Sequence, residues 1–165
     1  MLYIADEKVA GPALVAAYVL ESKAAILPRV VIAEELCHFV PHGSHYRLSD
    51  GPAVASPAWA YALRDRDGAV FCNYLRCDNS VQLQTALSRM MKHKTFVIDR
   101  LASAQNLHIY AKYEWAARYH NFMVRHLLDY AKYEEVGPQH LPTDGAVIPG
   151  FHGFAEEGFS VLAAN

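Results

Sequence analysis

The sequence predicts an α+β protein that is mainly helical, with one small β-hairpin, folded as a single domain around one long C-terminal helix. Three observations carry this expectation. Ile109, Tyr113, Ala117, His120, Val124, Leu127 and Ala131 recur at intervals of three or four, which keeps them on one face of a helix. Two apolar runs, 58–63 and 69–75, flank the charged turn Arg64-Asp65-Arg66-Asp67-Gly68, which is the pattern of a hairpin. The 165 residues suit one domain with its own core, and no stretch has the length of a linker.

The elements follow in order. Residues 1–6 read as a short strand or an extended entry. Gly11-Pro12 opens a helix, since Pro suits the first turn, where its missing N–H is not needed. Leu14, Ala17, Tyr18 and Glu21 continue it at helical spacing to about residue 25. Pro28 pushes the residue before it out of the α region, so a break is expected near Leu27. A second helix is expected over 29–39, with Val30, Ala33, Glu34 and Cys37 in register. Pro41, Gly43 and Ser49-Asp50-Gly51-Pro52 make the next stretch a loop. After the hairpin, Asn79 and Gln82 offer a capping box, and Leu83, Leu87 and Met90 carry a helix to about residue 92. Residues 95–98 form a short apolar run, read as a strand or a buried link. Ser103 is expected to cap the long helix, over about 104–135. The tail from Gly137 is rich in Pro and Gly and is expected to be irregular.

Composition narrows the function classes. Apolar residues make up 53% and charged residues 19%, which suits a globular chain and not a disordered one. No apolar stretch reaches the ~18 residues of a membrane span, and 1–7 lacks the pattern of a secretory leader. A cytoplasmic location (host cytoplasm for a viral protein) without a membrane partner is therefore expected. Cys37, Cys72 and Cys77 are an odd count, which suits free thiols. The net charge of −2 gives no general attraction to nucleic acid, so any such role needs a local basic patch.

Four groups of polar residues stand out. Glu114 and Arg118 are four apart, as are Arg125 and Asp129, which is the spacing of solvated helix pairs. Arg118 and Arg125 could instead fork onto an anion such as phosphate. His120 lies on the apolar stripe, where it is either a satisfied core residue or a buried general base. Cys37, His38, His42 and His45 fall within nine residues, but Pro41 and Gly43 break the ligand spacing, so no metal is expected. Glu21, Lys23 and Arg29 gather about the Pro28 break. No phosphate-binding Gly loop, nucleophile elbow or Cys-x-x-Cys pair is present, and no cofactor is expected.

The series His93, Arg100, Ser103, Asn106 and Glu114-Trp115-Ala116-Ala117-Arg118-Tyr119 resembles a small protein family common in phage genomes. Leu141-Pro142, Gly145, Pro149 and Phe151 resemble that family's ending. The phage family is in turn similar to the pyrimidine-dimer DNA glycosylases, with Leu14-Val15-Ala16-Ala17-Tyr18, Leu27-Pro28-Arg29-Val30 and Ile109-Tyr110-Ala111-Lys112-Tyr113-Glu114 carrying the likeness. The resemblance implies a helical fold acting on a nucleobase of DNA or a nucleotide. Such a glycosylase uses an amine to form a Schiff base, with a carboxylate beside it. It implies Glu114, His93 and Glu21 as catalytic candidates. Arg100, Arg118 and Arg125 would hold phosphate, and Asn106 would help to orient a base. The chain departs from the pattern at its start, where the bulky Leu2 should prevent removal of Met1 and exposure of a processed amine. The alternative expectation is a non-catalytic protein-binding protein on a degenerate enzyme fold. The apolar content and ten tyrosines would suit its interface.

Overall fold

The computed structural model describes residues 3–5, 8–10, 19, 27–40, 45–47, 53–55, 60–76, 83–133, 144–151 and 158–161. Among them are eight strands: β1 (Tyr3–Ala5), β2 (Lys8–Ala10), β3 (Val31–Ile32), β4 (His45–Arg47), β5 (Ala53–Ala55), β6 (Ala62–Asp65), β7 (Val70–Cys72) and β8 (Phe159–Val161). Two long helices follow the hairpin, α1 (Leu83–Ala102) and α2 (Leu107–Tyr133). The described residues are thus mainly helical with a small antiparallel sheet, an α+β arrangement.

The hairpin forms where the sequence predicts it. Strands β6 and β7 pair with Leu63 opposite Phe71, and Gly68 takes φ +85° in the turn, a conformation that favours glycine. The hairpin is also the centre of a four-stranded sheet in the order β3-β7-β6-β8. Neither outer strand is expected from the sequence. Strand β3 replaces the first part of the helix expected over 29–39, and a 3-10 turn, Glu34–Phe39, replaces the rest. Val30, Val31 and Ile32 are three consecutive β-branched residues, which suit an extended chain better than a helix. Strand β8 lies in the tail expected to be irregular and pairs Val161 with Leu63. Within the stretch 41–55, β4 and β5 pair where a loop is expected. Strand β1 is found within the predicted 1–6 and pairs with β2. The helix expected over 11–25 lies outside the described residues except at Val19.

Helix α1 runs ten residues beyond its expected end near 92, through the apolar run 95–98. Ala86, Met90, Val97 and the half-buried Leu101 share one face at helical spacing, and His93 is on it too. Packing against α2 outweighs the weak helix preference of the β-branched residues there. Helix α2 begins at Leu107 and not near 104. Asn106, not Ser103, caps it: Asn106 Oδ1 accepts the Ile109 N–H at 2.9 Å. Ser103 belongs to the end of α1, where its hydroxyl donates to the Asp99 carbonyl at 2.8 Å.

Helix α2 is buried over a much wider arc than one stripe. Ala117, His120, Val124 and Leu127 are buried as expected, but so are Trp115, Tyr119, Phe122 and Met123. The aromatic members turn toward the sheet. Trp115 and Tyr119 meet Phe71 edge-on with centroids 5.3 and 5.5 Å away, and Phe159 of β8 closes the cluster. This edge-to-face packing fits the ring quadrupoles. The described strap 144–151 covers another side of α2. Asn121 fixes it by accepting the Ile148 N–H at 2.8 Å and donating to the Ile148 carbonyl at 3.0 Å.

Candidate functional site

Three polar places gather the residues that could do chemistry. The first is the sheet end of α2. Arg29, nearly fully buried, is held by the carboxylates of Asp65 and Asp67, and Trp115 Nε1 donates to Asp65 at 2.7 Å. The hydrogen bond from Arg29 holds the Asp67 carboxyl below its usual pKa. A cleft of about 250 Å³ opens beside it, lined by Asp65, Asp67, Trp115, Arg118 and Phe159 among others. Arg118 is half-buried and forms its ion pair with Glu114 one helical turn away. Two predicted site residues therefore meet, but as partners of each other.

The second place is the seam between α1, α2 and the strap. His93 and His120 lie edge to edge with nearly parallel ring planes and centroids 5.3 Å apart, and their Nδ1 atoms lie 3.2 Å apart. His120 Nε2 is 2.8 Å from the Ala146 carbonyl oxygen, and His93 Nε2 is 3.4 Å from the Tyr74 hydroxyl. Chemistry orders the protons along this chain. A carbonyl only accepts, so His120 carries its proton on Nε2. Its Nδ1 is then the acceptor in a neutral ring, and His93 donates from Nδ1. That leaves His93 Nε2 bare, and Tyr74 donates to it. Burial, reinforced by His120, lowers the His93 pKa to about 4. Burial also lowers that of His120, against the opposing effect of the Ala146 contact. Both rings are thus neutral at ordinary pH. Behind them Tyr119 donates to Asn73 Oδ1, accepts the Leu75 N–H at 3.0 Å, and is kept protonated chiefly by burial.

The third place is the junction of α1 and α2. Arg100, Ser103, Gln105, Ile109, Lys112 and Tyr113 line a groove of about 430 Å³. The Arg100 guanidinium lies over the Phe96 ring at 5.3 Å, and Phe96 meets Tyr113 edge-on. Neither Arg100 nor Lys112 joins an ion pair among the described residues.

The candidates named from sequence are thus divided. His93 is in the seam, Glu114 and Arg118 are at the cleft, and Arg100 is at the groove. Asn106 serves as a helix cap and Arg125 is half-buried on α2. Glu21 lies outside the described residues. Glu114 and His120 are six residues apart on α2, about 240° around its axis, so the cleft and the seam look different ways. Glu114, Arg118, His93 and Asn106 do not share one pocket. Sequence reasoning missed Tyr74, Asn73 and Lys112. His93 at three and four residues from Met90 and Val97 was the available signal for the seam, since that spacing marks the buried face of α1. Of the Cys37-to-His45 group, His42 lies outside the described residues, and no group of three or more metal-ligand side chains occurs among the described residues. No described helix is long and apolar enough to cross a membrane. Compared with protein-family models, curated proteins and solved structures, the chain matches none of them.

Proposed function

We propose that this chain binds a nucleotide, or a single-stranded end of nucleic acid, in the groove between α1 and α2, and that it binds without turnover. The observation that carries this reading is the pair of cations on that groove, Arg100 and Lys112, with no described carboxylate in an ion pair with either. Phosphate needs such cations, and a base needs an aromatic face, which Tyr113 and the exposed Phe96 offer. Ser103 and Gln105 add hydrogen-bonding groups. The resemblance to phage proteins and pyrimidine-dimer glycosylases points to the same class of ligand, and to α2 as the helix around which such a domain is built. Turnover is left out because both described candidates are engaged elsewhere, Glu114 with Arg118 and His93 with His120, while Glu21 lies outside the described residues.

Fluorescence anisotropy with labelled oligothymidylate and a fluorescent adenine nucleotide tests the reading. Binding at low salt that weakens as salt rises is expected, because contact with phosphate releases counterions. Arg100→Ala and Lys112→Ala should each weaken it about tenfold, in line with loss of a charge-assisted contact. Lack of binding to both probes at low salt overturns the proposal. Borohydride trapping on abasic and base-modified DNA should give no adduct, and an adduct would restore the glycosylase reading.

A protein partner is the second reading. Leu107 is 82% exposed, and Met91, Phe96, Ile98 and Tyr110 are exposed on the same two helices. Apolar and aromatic side chains of this kind mark interfaces. It gains ground if Leu107→Ser abolishes a pull-down interaction that Arg100→Ala leaves intact.

A further inference from the structure

We propose that the His93–His120 pair is a proton-operated latch on the strap 144–151: it stays closed with one added proton and opens with two. The geometry sets this count. Only one hydrogen fits between Nδ1 atoms 3.2 Å apart, and the tautomers derived above place it on His93. A first added proton goes to His93 Nε2, the outer end of the chain. There the Tyr74 hydroxyl turns round and accepts, and nothing has to move apart. A second added proton has only His120 Nδ1 left, since His120 Nε2 already donates to Ala146. Two N–H groups would then point at each other, on two cations with ring centroids 5.3 Å apart. The rings must separate.

Separation reaches the strap because His120 holds it. The Ala146 carbonyl accepts from His120, the Gly145 carbonyl accepts from Lys94, and Asn121 grips Ile148 one residue further along α2. Ala146 and Ile148 are core residues, so opening uncovers apolar surface on α2. The described titratable groups around the pair do not relieve the charge. Lys94 from α1 carries a like charge beside His120 and lowers its pKa further. Tyr74 follows β7, Tyr119 is on α2, and Cys72 and Arg89 stand behind Tyr119; none supplies a carboxylate. Asp144 begins the strap, and its side chain lies outside the described residues.

Two measurements on the full chain test the latch. Imidazole ¹⁵N spectra of the wild type at neutral pH should show His120 as the Nε2–H tautomer and His93 as the Nδ1–H tautomer. Two Nε2–H rings overturn the proposal. Hydrogen exchange of the strap, followed from about pH 7 to about pH 4 and corrected for the intrinsic rate, should show the Ile148 N–H losing protection about tenfold or more. The Cys72 N–H in the sheet should lose no more than the fall in global stability over the same range explains. His120→Gln keeps an amide N–H for the Ala146 carbonyl and has no proton to gain, so strap protection should become independent of pH. Asp144→Asn should leave the pH response in place. Strap and sheet opening together in the wild type overturns the latch, as does a response lost in Asp144→Asn.

Discussion

Arg29 and Arg100 occupy opposite extremes of one molecule. Arg29 is sealed against the sheet with its guanidinium between Asp65 and Asp67, and Trp115 donates to the same Asp65. Arg100 is exposed at the helix junction, rests on Phe96, and faces a groove with Lys112. The first charge is consumed by the fold: it ties 27–30 and the hairpin turn to α2. The second leaves its hydrogen-bonding fork available. The histidine seam is an intermediate case, since His120 is as buried as Arg29, His93 is partly buried, and both are neutral. A charged side chain therefore says little about function until its partners are known.

This contrast can be broken by substitution. Arg29→Ala should have the largest effect, because it leaves Asp65 buried without its cation. A loss of about 3–5 kcal/mol is expected in urea unfolding, typical of removing one half of a buried pair. A change under 1 kcal/mol would mean that the pair is solvated and the contrast with Arg100 is false.

The seam gives the next largest effect, through pH. His93 has its pKa lowered from 6.5 to about 4, chiefly by burial. Between these values the unfolded chain binds a proton that the folded chain refuses, so stability falls as pH drops through that window. The shift corresponds to about 3 kcal/mol at full burial, and about 2 kcal/mol after allowance for the part of the ring that meets solvent. Unfolding curves collected across the window check this, and His93→Asn should remove most of the slope. Asp67 adds to acid sensitivity below its usual value, because its depressed pKa reflects the bond from Arg29.

Asn106→Ala should cost about 1 kcal/mol, the usual worth of a helix N-cap, without altering ligand affinity beyond what the weakened helix start explains. Ser103→Ala should cost less, which separates the observed cap from the one the sequence suggests. Arg100→Ala is the smallest change for the fold, within about 0.5 kcal/mol, as for other exposed positions. Its effect should appear in binding and not in stability, the reverse of Arg29→Ala.

Some of this was written in the local pattern. The charged turn at 64–68 between apolar runs specified the hairpin, because alternation and a glycine at positive φ are properties of adjacent residues. The three-and-four spacing specified α2, and it placed His120 among core residues before any contact was known. The same spacing in 86–101 was obscured by the β-branched run at 95–98, whose strand preference yields once α2 packs on it. The candidate site was less legible. Arg100 could be picked out, but Lys112 and Tyr113 beside it could not, since they come from the other helix.

By itself, the sequence determined the hairpin, the long amphipathic helix and the apolar character of the α2 stripe. All three depend on neighbours within a few residues. Only the tertiary structure decided what the polar groups do. It added β3 and β8 to the hairpin and closed Arg29 on Asp65. It also set His93 against His120, 27 residues apart. Proton position, ion pairing and exposure are properties of pairs of groups in space, and no spacing along a chain fixes which distant pair will form.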